Sequence, residues 1–386
     1  MSDAPPKAQV GSSNIWRRAS APFALLETVE SPSADGPLLD TRRSLRNDAS
    51  FQVDDAHMRT LVRDLHRVRP AIFWTDLLAT SVIGWGAFVG AVMLRPFSPI
   101  MTLCMAAAAL ALYRSLCFLH EITHQNQRTL PGFETAWNLL AGYPLLMPSF
   151  VYVGVHQSHH KLSTYGTSQD PEYLPFAQNS RMTAVFALEA LFIPAALLAR
   201  FLLLTPIGLL WPGFERWLIA HLSSLTMNVR YRREATPELA GKVRRHSAVL
   251  FLAWGALVSL AAYGMLPWRI FAIWFVVTGL ASFVNTLRAL GAHAYESAGE
   301  PLDRMGQLID SIDTPGGWWT ELWAPVGLRY HALHHYFPGI PYHNLAEAYR
   351  RVSSALPVGA HYRRMSSPSL PHSLRVLYRK GLRAWK

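Results

Sequence analysis

The chain has 386 residues, 51% of them hydrophobic and only 16% charged, against roughly 25% charged in an ordinary soluble domain. Lys and Arg outnumber Asp and Glu, 36 to 25, for a formal charge of +11. No basic helix or zinc-finger spacing accompanies the excess, which argues against a nucleic-acid partner. The only two cysteines, Cys104 and Cys117, share one apolar run, which excludes a disulfide framework.

Residues 1–70 are polar, rich in Ser, Pro, Arg and Asp, and open with no signal segment; a largely disordered cytoplasmic region is expected there. An apolar run from Ala71 to Leu94, interrupted by Asp76, is followed by Arg95-Pro96-Phe97-Ser98 and a second run from Pro99 to Leu119. Each run has the length, about 20 residues, that a helix needs to cross the hydrocarbon layer. Together they predict a transmembrane hairpin. The stretch from Ala184 to Leu210 is apolar but carries Glu189, Pro194, Arg200 and Pro206, so helices lying in the interface plane are expected. A second hairpin follows, Ala248 to Leu266 and Ile270 to Leu287, turned at Pro267-Trp268-Arg269.

The predicted architecture is therefore all-α, with two transmembrane hairpins (four spans) under a cytoplasmic helical cap. Residues 71–350 form the membrane domain and 351–386 a basic cytoplasmic tail. Most Lys and Arg lie in the N-terminal region, the middle segment and the tail, which places those regions and both termini in the cytoplasm. The lipid bilayer is the partner this composition implies. Asp76 and Arg114 are the notable charges within the four spans.

Three histidine clusters stand out: His120-Glu-Ile-Thr-His124, His156-Gln-Ser-His159-His160 and His331-Ala-Leu-His334-His335. On a helix, residues three and four apart share a face, so each cluster aims two or three imidazoles at one point. Neutral imidazole is the commonest metal-ligating side chain. Eight imidazoles exceed the ligand set of any single zinc site and suit two ions. Spacing alone does not choose among iron, zinc, copper and nickel. His120 to His124 also fits the H-E-x-x-H pattern of zinc proteases, but that reading leaves six clustered histidines unused. A metal transporter would need ionisable groups along a crossing path, and the four spans are nearly bare of them.

The order of H-x-x-x-H, H-x-x-H-H and H-x-x-H-H around two membrane hairpins resembles the membrane fatty acid desaturase family, over roughly residues 70 to 350. The similarity extends to Asp170-Pro171-Glu172, to the segment from Thr286 to His293, and to Leu322 through Tyr330 leading into the third cluster. It implies an oxidoreductase with two non-haem iron ions and O2 as co-substrate. The implied ligands are His120, His124, His156, His159, His160, His331, His334 and His335, with His293 as a ninth.

Family members often carry Asn four residues before that ninth ligand. Ala289 stands here instead, and Asn285, one turn further back, is the candidate substitute. Asp170, Glu172, Asp310, Asp313 and Asn344 are candidates to orient the imidazoles; a solvated carboxylate or a helix cap is the other reading for each. The resemblance further implies desaturation of a fatty acyl chain held as a CoA, acyl-carrier-protein or lipid ester. Hydroxylation or ketolation at the same site is the alternative. Electrons are expected from a separate ferredoxin, rubredoxin, or cytochrome b5 with its reductase. A bacterial inner membrane is expected before an endoplasmic reticulum. Tyr330, Trp318, Trp319 and Trp323 are candidates to line an apolar channel.

Overall fold

The computed structural model describes residues 55–384 except 298, 357–361, 363 and 364. The expectation of disorder through residue 54 lies outside the described residues. Beyond it the chain is ordered earlier than expected. Helix α1 (Asp55–Val62) buries Met58 and Val62 in a cluster with Leu345, Ala348 and Val352. Among the described residues there are helices and isolated bridges but no strand ladder.

Helices α2 (Pro70–Met93) and α3 (Pro99–His124) each begin with proline, where a missing N–H costs nothing. The Ser98 hydroxyl accepts from Met101 N at 3.2 Å and caps α3. The two helices pack along their length as the expected hairpin, and Val82, Met93 and Leu103 stay exposed on the outer faces. Such apolar exposure is stable in lipid and costly in water.

The charges within this pair are clamped to one another. Arg114 Nε and Nη2 donate to the two oxygens of Asp76 at 3.0 and 2.5 Å, and Nη1 donates to Glu321 at 3.1 Å. The Tyr342 hydroxyl adds a bond to Asp76 at 3.0 Å. Asp76→Asn breaks the ionic bonds and leaves the guanidinium half-satisfied. It is expected to cost on the order of 2–3 kcal/mol, read as a lowered unfolding midpoint in detergent with the helix content unchanged.

After the short helix α4 (His156–His159) comes the main difference from the sequence expectation. Helix α5 runs from Ser180 to Leu210, so among the described residues five helices are long and apolar enough to cross a membrane, where four spans were expected; the others are α2, α3, α7 (Pro237–Ala262) and α8 (Arg269–Ala292). Three of the four residues that argued against a span, Pro194, Arg200 and Pro206, are accommodated locally. Pro194 and Pro206 each sit in the first turn of a helical segment, and the backbone between them widens to a π-helix over Ala199–Leu204. Arg200 is buried, donating to Leu222 O at 2.7 Å and to Thr205 Oγ1 at 3.1 Å, so its charge does not face lipid. Helix α6 (Pro212–Leu222) supplies that carbonyl.

Helix α8 packs against α3, α2 and the first half of α5, and so carries its C-terminus to the end of α3 where His120 and His124 lie. Helices α9 (Arg304–Asp310), α10 (His331–Tyr336) and α11 (Tyr342–Ala355) complete the other wall. The expected basic tail contains a packed helix, α12 (Leu370–Ala384), lying on α8 and the start of α5. Gly381 makes the close approach: a Cβ there would fall 2.5 Å from Ser180 N.

Candidate metal centre

The last turn of α3 presents His120 and His124 from one face. Helix α4 is only four residues long, so its position comes from what holds it. Gln157 Nε2 donates to Thr123 O at 3.2 Å, tying α4 to α3. Arg233 donates to Phe150 O, to Val153 O at 2.7 Å and to Ser223 O at 3.2 Å, fixing the turn that enters α4. At α10, Asp313 accepts from Ala332 N at 2.8 Å and Leu333 N at 3.3 Å, and from the Tyr362 hydroxyl at 2.6 Å. It caps the helix that carries His331, His334 and His335, so its helix-cap reading is the one the structure supports. His293 follows α8 in extended backbone bridged to Ser311.

These elements bring all nine candidate imidazoles into two adjoining groups. His120, His124, His156, His160 and His334 form one; His159, His293, His331 and His335 form the other. Within each group the ligand atoms lie within 4.8 Å of one another. The His160 and His335 rings stack at 4.3 Å and join the groups.

The nitrogens converge in a way that fits cations. His331 Nε2 lies 2.7 Å from His293 Nε2 and 3.1 Å from His335 Nε2. His156 and His160 approach to 3.0 Å, and His124 and His334 to 3.2 Å, again through Nε2. Two nitrogens about 2.1 Å from one ion at a right angle lie about 3 Å apart. Burial holds His156, His160, His293, His331, His334 and His335 below the ordinary histidine range, so they are neutral and offer lone pairs. Both ring nitrogens of buried His120 lack a protein hydrogen-bond partner.

Three of the outer nitrogens, those of His156, His159 and His293, are held by acids and phenols. His159 Nδ1 donates to both oxygens of Asp170, at 2.9 and 3.0 Å. Burial lowers the His159 pKa, but the Asp170 charge and hydrogen bond outweigh it and the net shift is upward. His156 Nδ1 lies 2.7 Å from Glu172 and 2.8 Å from the Tyr152 hydroxyl. Burial pushes Glu172 up to about 7. His293 Nδ1 meets the Tyr165 hydroxyl at 2.9 Å, and Asp310 sits behind both, 3.5 Å from that nitrogen and 3.0 Å from the hydroxyl. Such outer partners select the tautomer that leaves Nε2 free for a metal.

The model of the family described as "Fatty acid desaturase" matches residues 96–366, more than half of the chain. The chain belongs to the fatty acid desaturase family. A relative described as "Ceramide hydroxylase", from Caulobacter vibrioides (strain NA1000 / CB15N), is 37% identical over 331 residues, covering 83% of this chain and 92% of that protein. Family and relative together make this desaturase-family protein a multi-pass membrane oxidoreductase acting on lipids, with histidine clusters that could bind metal.

The remaining candidate residues have other partners. Asn344 donates to Leu65 O at 2.7 Å and Arg67 O at 3.3 Å, closing the turn after α1, and its Oδ1 lies 3.0 Å from His343 Nδ1, so it is bonded to none of the nine clustered imidazoles. Asn285 accepts from Arg288 at 2.9 Å and is bonded to no imidazole among the described residues. Glu121, the base that a zinc protease would need, accepts instead from Tyr342 N at 3.1 Å. Trp318 and Trp319 are exposed, and Tyr330 is buried against Tyr349. Tyr152, Tyr165, Gln157 and Arg233 were not singled out in the sequence. Only Tyr152, one helical turn before His156, carried a readable signal.

Proposed function

We propose that the protein is an O2-dependent di-iron hydroxylase of a ceramide-class lipid. The observation that carries the reading is the convergence of nine imidazole side chains into two groups, in a chain similar over most of its length to a ceramide hydroxylase. His120, His124, His156, His160 and His334 would hold one ion; His159, His293, His331 and His335 would hold the other. Bound iron would supply activation of O2 toward an unactivated C–H bond. Nine ligands for two ions leave coordination positions for O2.

The protein's own part is to hold and orient. Asp170, Glu172, Tyr152, Tyr165 and Asp310 keep protons on the outer ring nitrogens of His159, His156 and His293. The buried setting excludes bulk water from the reacting carbon. Hydroxylation converts C–H, O2, two electrons and two protons into C–OH and water. Ferredoxin, rubredoxin, or cytochrome b5 with its reductase is the proposed source of the electrons, with a bacterial inner membrane as the location and both termini cytoplasmic. Desaturation of an acyl chain, favoured by the family's description, is the second reading, since the same site can remove a second hydrogen from the neighbouring carbon.

Lipid mass spectrometry of cells expressing the chain, beside a His159→Ala, His160→Ala control, separates them. A ceramide that gains one oxygen and disappears in the control supports hydroxylation. Loss of two hydrogens supports desaturation. Purified active protein carrying zinc in place of iron would overturn both.

A further inference from the structure

Helix α8 has one face that is easily assigned. Val276 and Leu280, 41% and 36% exposed, mark its lipid side. Asn285 is exposed as well. At about 100° per residue, though, nine residues beyond Val276 it is turned to the opposite side. Thr278, Ala281, Ser282 and Ala289 share that inward side and are buried. The exposure of Asn285 is therefore to a space within the helical bundle.

Arg288 borders the same space. Its Nη2 donates to Asn285 Oδ1 at 2.9 Å, and its Nε has no hydrogen-bond partner. No carboxylate pairs with it among the described residues. Its electrostatic neighbours are Tyr113 and Cys117 of α3, with Tyr152 and Glu172 beside His156. By helix rise, Arg288 lies about 6 Å and Asn285 about 10.5 Å before Ala292, the last residue of α8, which His293 follows. A guanidinium without a carboxylate, inside a membrane bundle, is costly. That cost is offset when a ligand supplies the missing acceptor.

We propose that Arg288 and Asn285 anchor the hydrogen-bond-accepting polar group of the lipid substrate, and that this anchor selects the carbon to be oxidised. The inference rests on the lipid-oxidising role assigned above. For a ceramide-class lipid the group is the amide carbonyl with its neighbouring hydroxyls. The guanidinium donates to the carbonyl, as charge-assisted bonds are the stronger ones, and the Asn285 amide, with a donor and an acceptor, suits a hydroxyl. The oxidised carbon then lies near the polar end of the lipid and not far along its chain.

The test uses the full chain in nanodiscs, as wild type, Arg288→Leu, Arg288→Lys and Asn285→Leu. The substrates are N-palmitoyl sphinganine and hexadecane, which lacks the polar group. Arg288→Leu is expected to raise KM for the ceramide about 10-fold or more, the loss of one charged hydrogen bond. It is also expected to spread hydroxylation over several carbons, while iron content and turnover of hexadecane stay at wild-type levels. Arg288→Lys is expected to recover part of the affinity, and Asn285→Leu to shift the position of hydroxylation. Unchanged KM and position, or loss of iron in Arg288→Leu, would overturn the anchor. Should the wild type leave the ceramide untouched, the ceramide reading falls by itself. The anchor is then judged by equilibrium binding of palmitic acid and of phosphatidylglycerol: about 10-fold weaker binding of either by Arg288→Leu keeps it, and equal binding overturns it.

Discussion

On the proposed di-iron reading, His331→Ala is expected to abolish turnover and to leave the purified protein with no more than about half of the wild-type iron. The reason is positional. His331 Nε2 stands 2.7 Å from His293 Nε2 and 3.1 Å from His335 Nε2, so it is the central nitrogen of the four-histidine group. That group has one imidazole fewer than its neighbour and less redundancy to lose. Removing an outer partner of a metal ligand costs 10–100-fold in affinity or activity; removing the ligand itself is expected to exceed the upper end of that range. Burial adds to the effect, because His331, Ala332 and Leu333 are all buried and a truncated ring leaves a void among polar groups. Iron per chain, measured by plasma emission beside product formation, checks the result. Full iron with lost activity would place His331 in another role; full activity would remove it from the centre.

The contrast between what could and could not be read in the sequence follows from the range of the interactions. The hairpin of α2 and α3 was legible because length and hydropathy alone specify a span. The histidine clusters were legible because helical spacing is a local rule. Asp170 and Glu172 were within reach, lying 11 and 16 residues from the histidines they hold. Helix α5 reads as interfacial in the sequence because Glu189, Pro194, Arg200 and Pro206 interrupt its apolar stretch; the acceptor for Arg200, Leu222 O, comes from the next helix. Tyr165 meets His293 across 128 residues of sequence, and no local pattern announces such a pair. Asn344 shows the reverse case. Its nearness in sequence to the third cluster suggested a role there, and the fold turns its amide toward Leu65 and Arg67.

Asp170→Asn is expected to lower iron affinity 10–100-fold, and the geometry explains why so small a change suffices. The buried carboxylate receives four donor contacts and offers nothing but acceptors. Oδ1 takes His159 Nδ1 and Glu172 N at 2.9 Å each; Oδ2 takes His159 Nδ1 at 3.0 Å and Gly166 N at 2.9 Å. An asparagine must place its NH2 on one of these two sides, facing the Gly166 or the Glu172 N–H, and a buried donor is then left opposing a donor. The amide can also donate to His159 Nδ1, which moves the ring proton to Nε2 and removes the lone pair that a metal needs. A carboxylate permits only the ligating tautomer; the amide permits both. The loop has no easy way to relax, since the Asp170 carbonyl is itself held by Asn228 Nδ2 at 3.0 Å and Gly166 turns at φ 75°, a conformation that favours glycine. Retention of iron during dialysis against a ferrous chelator checks the prediction. Asp170→Glu provides the internal control: it keeps the charge and displaces it by one methylene, so wild-type retention in Asp170→Asn together with loss in Asp170→Glu would mean that shape, and not the ring tautomer, is what Asp170 supplies.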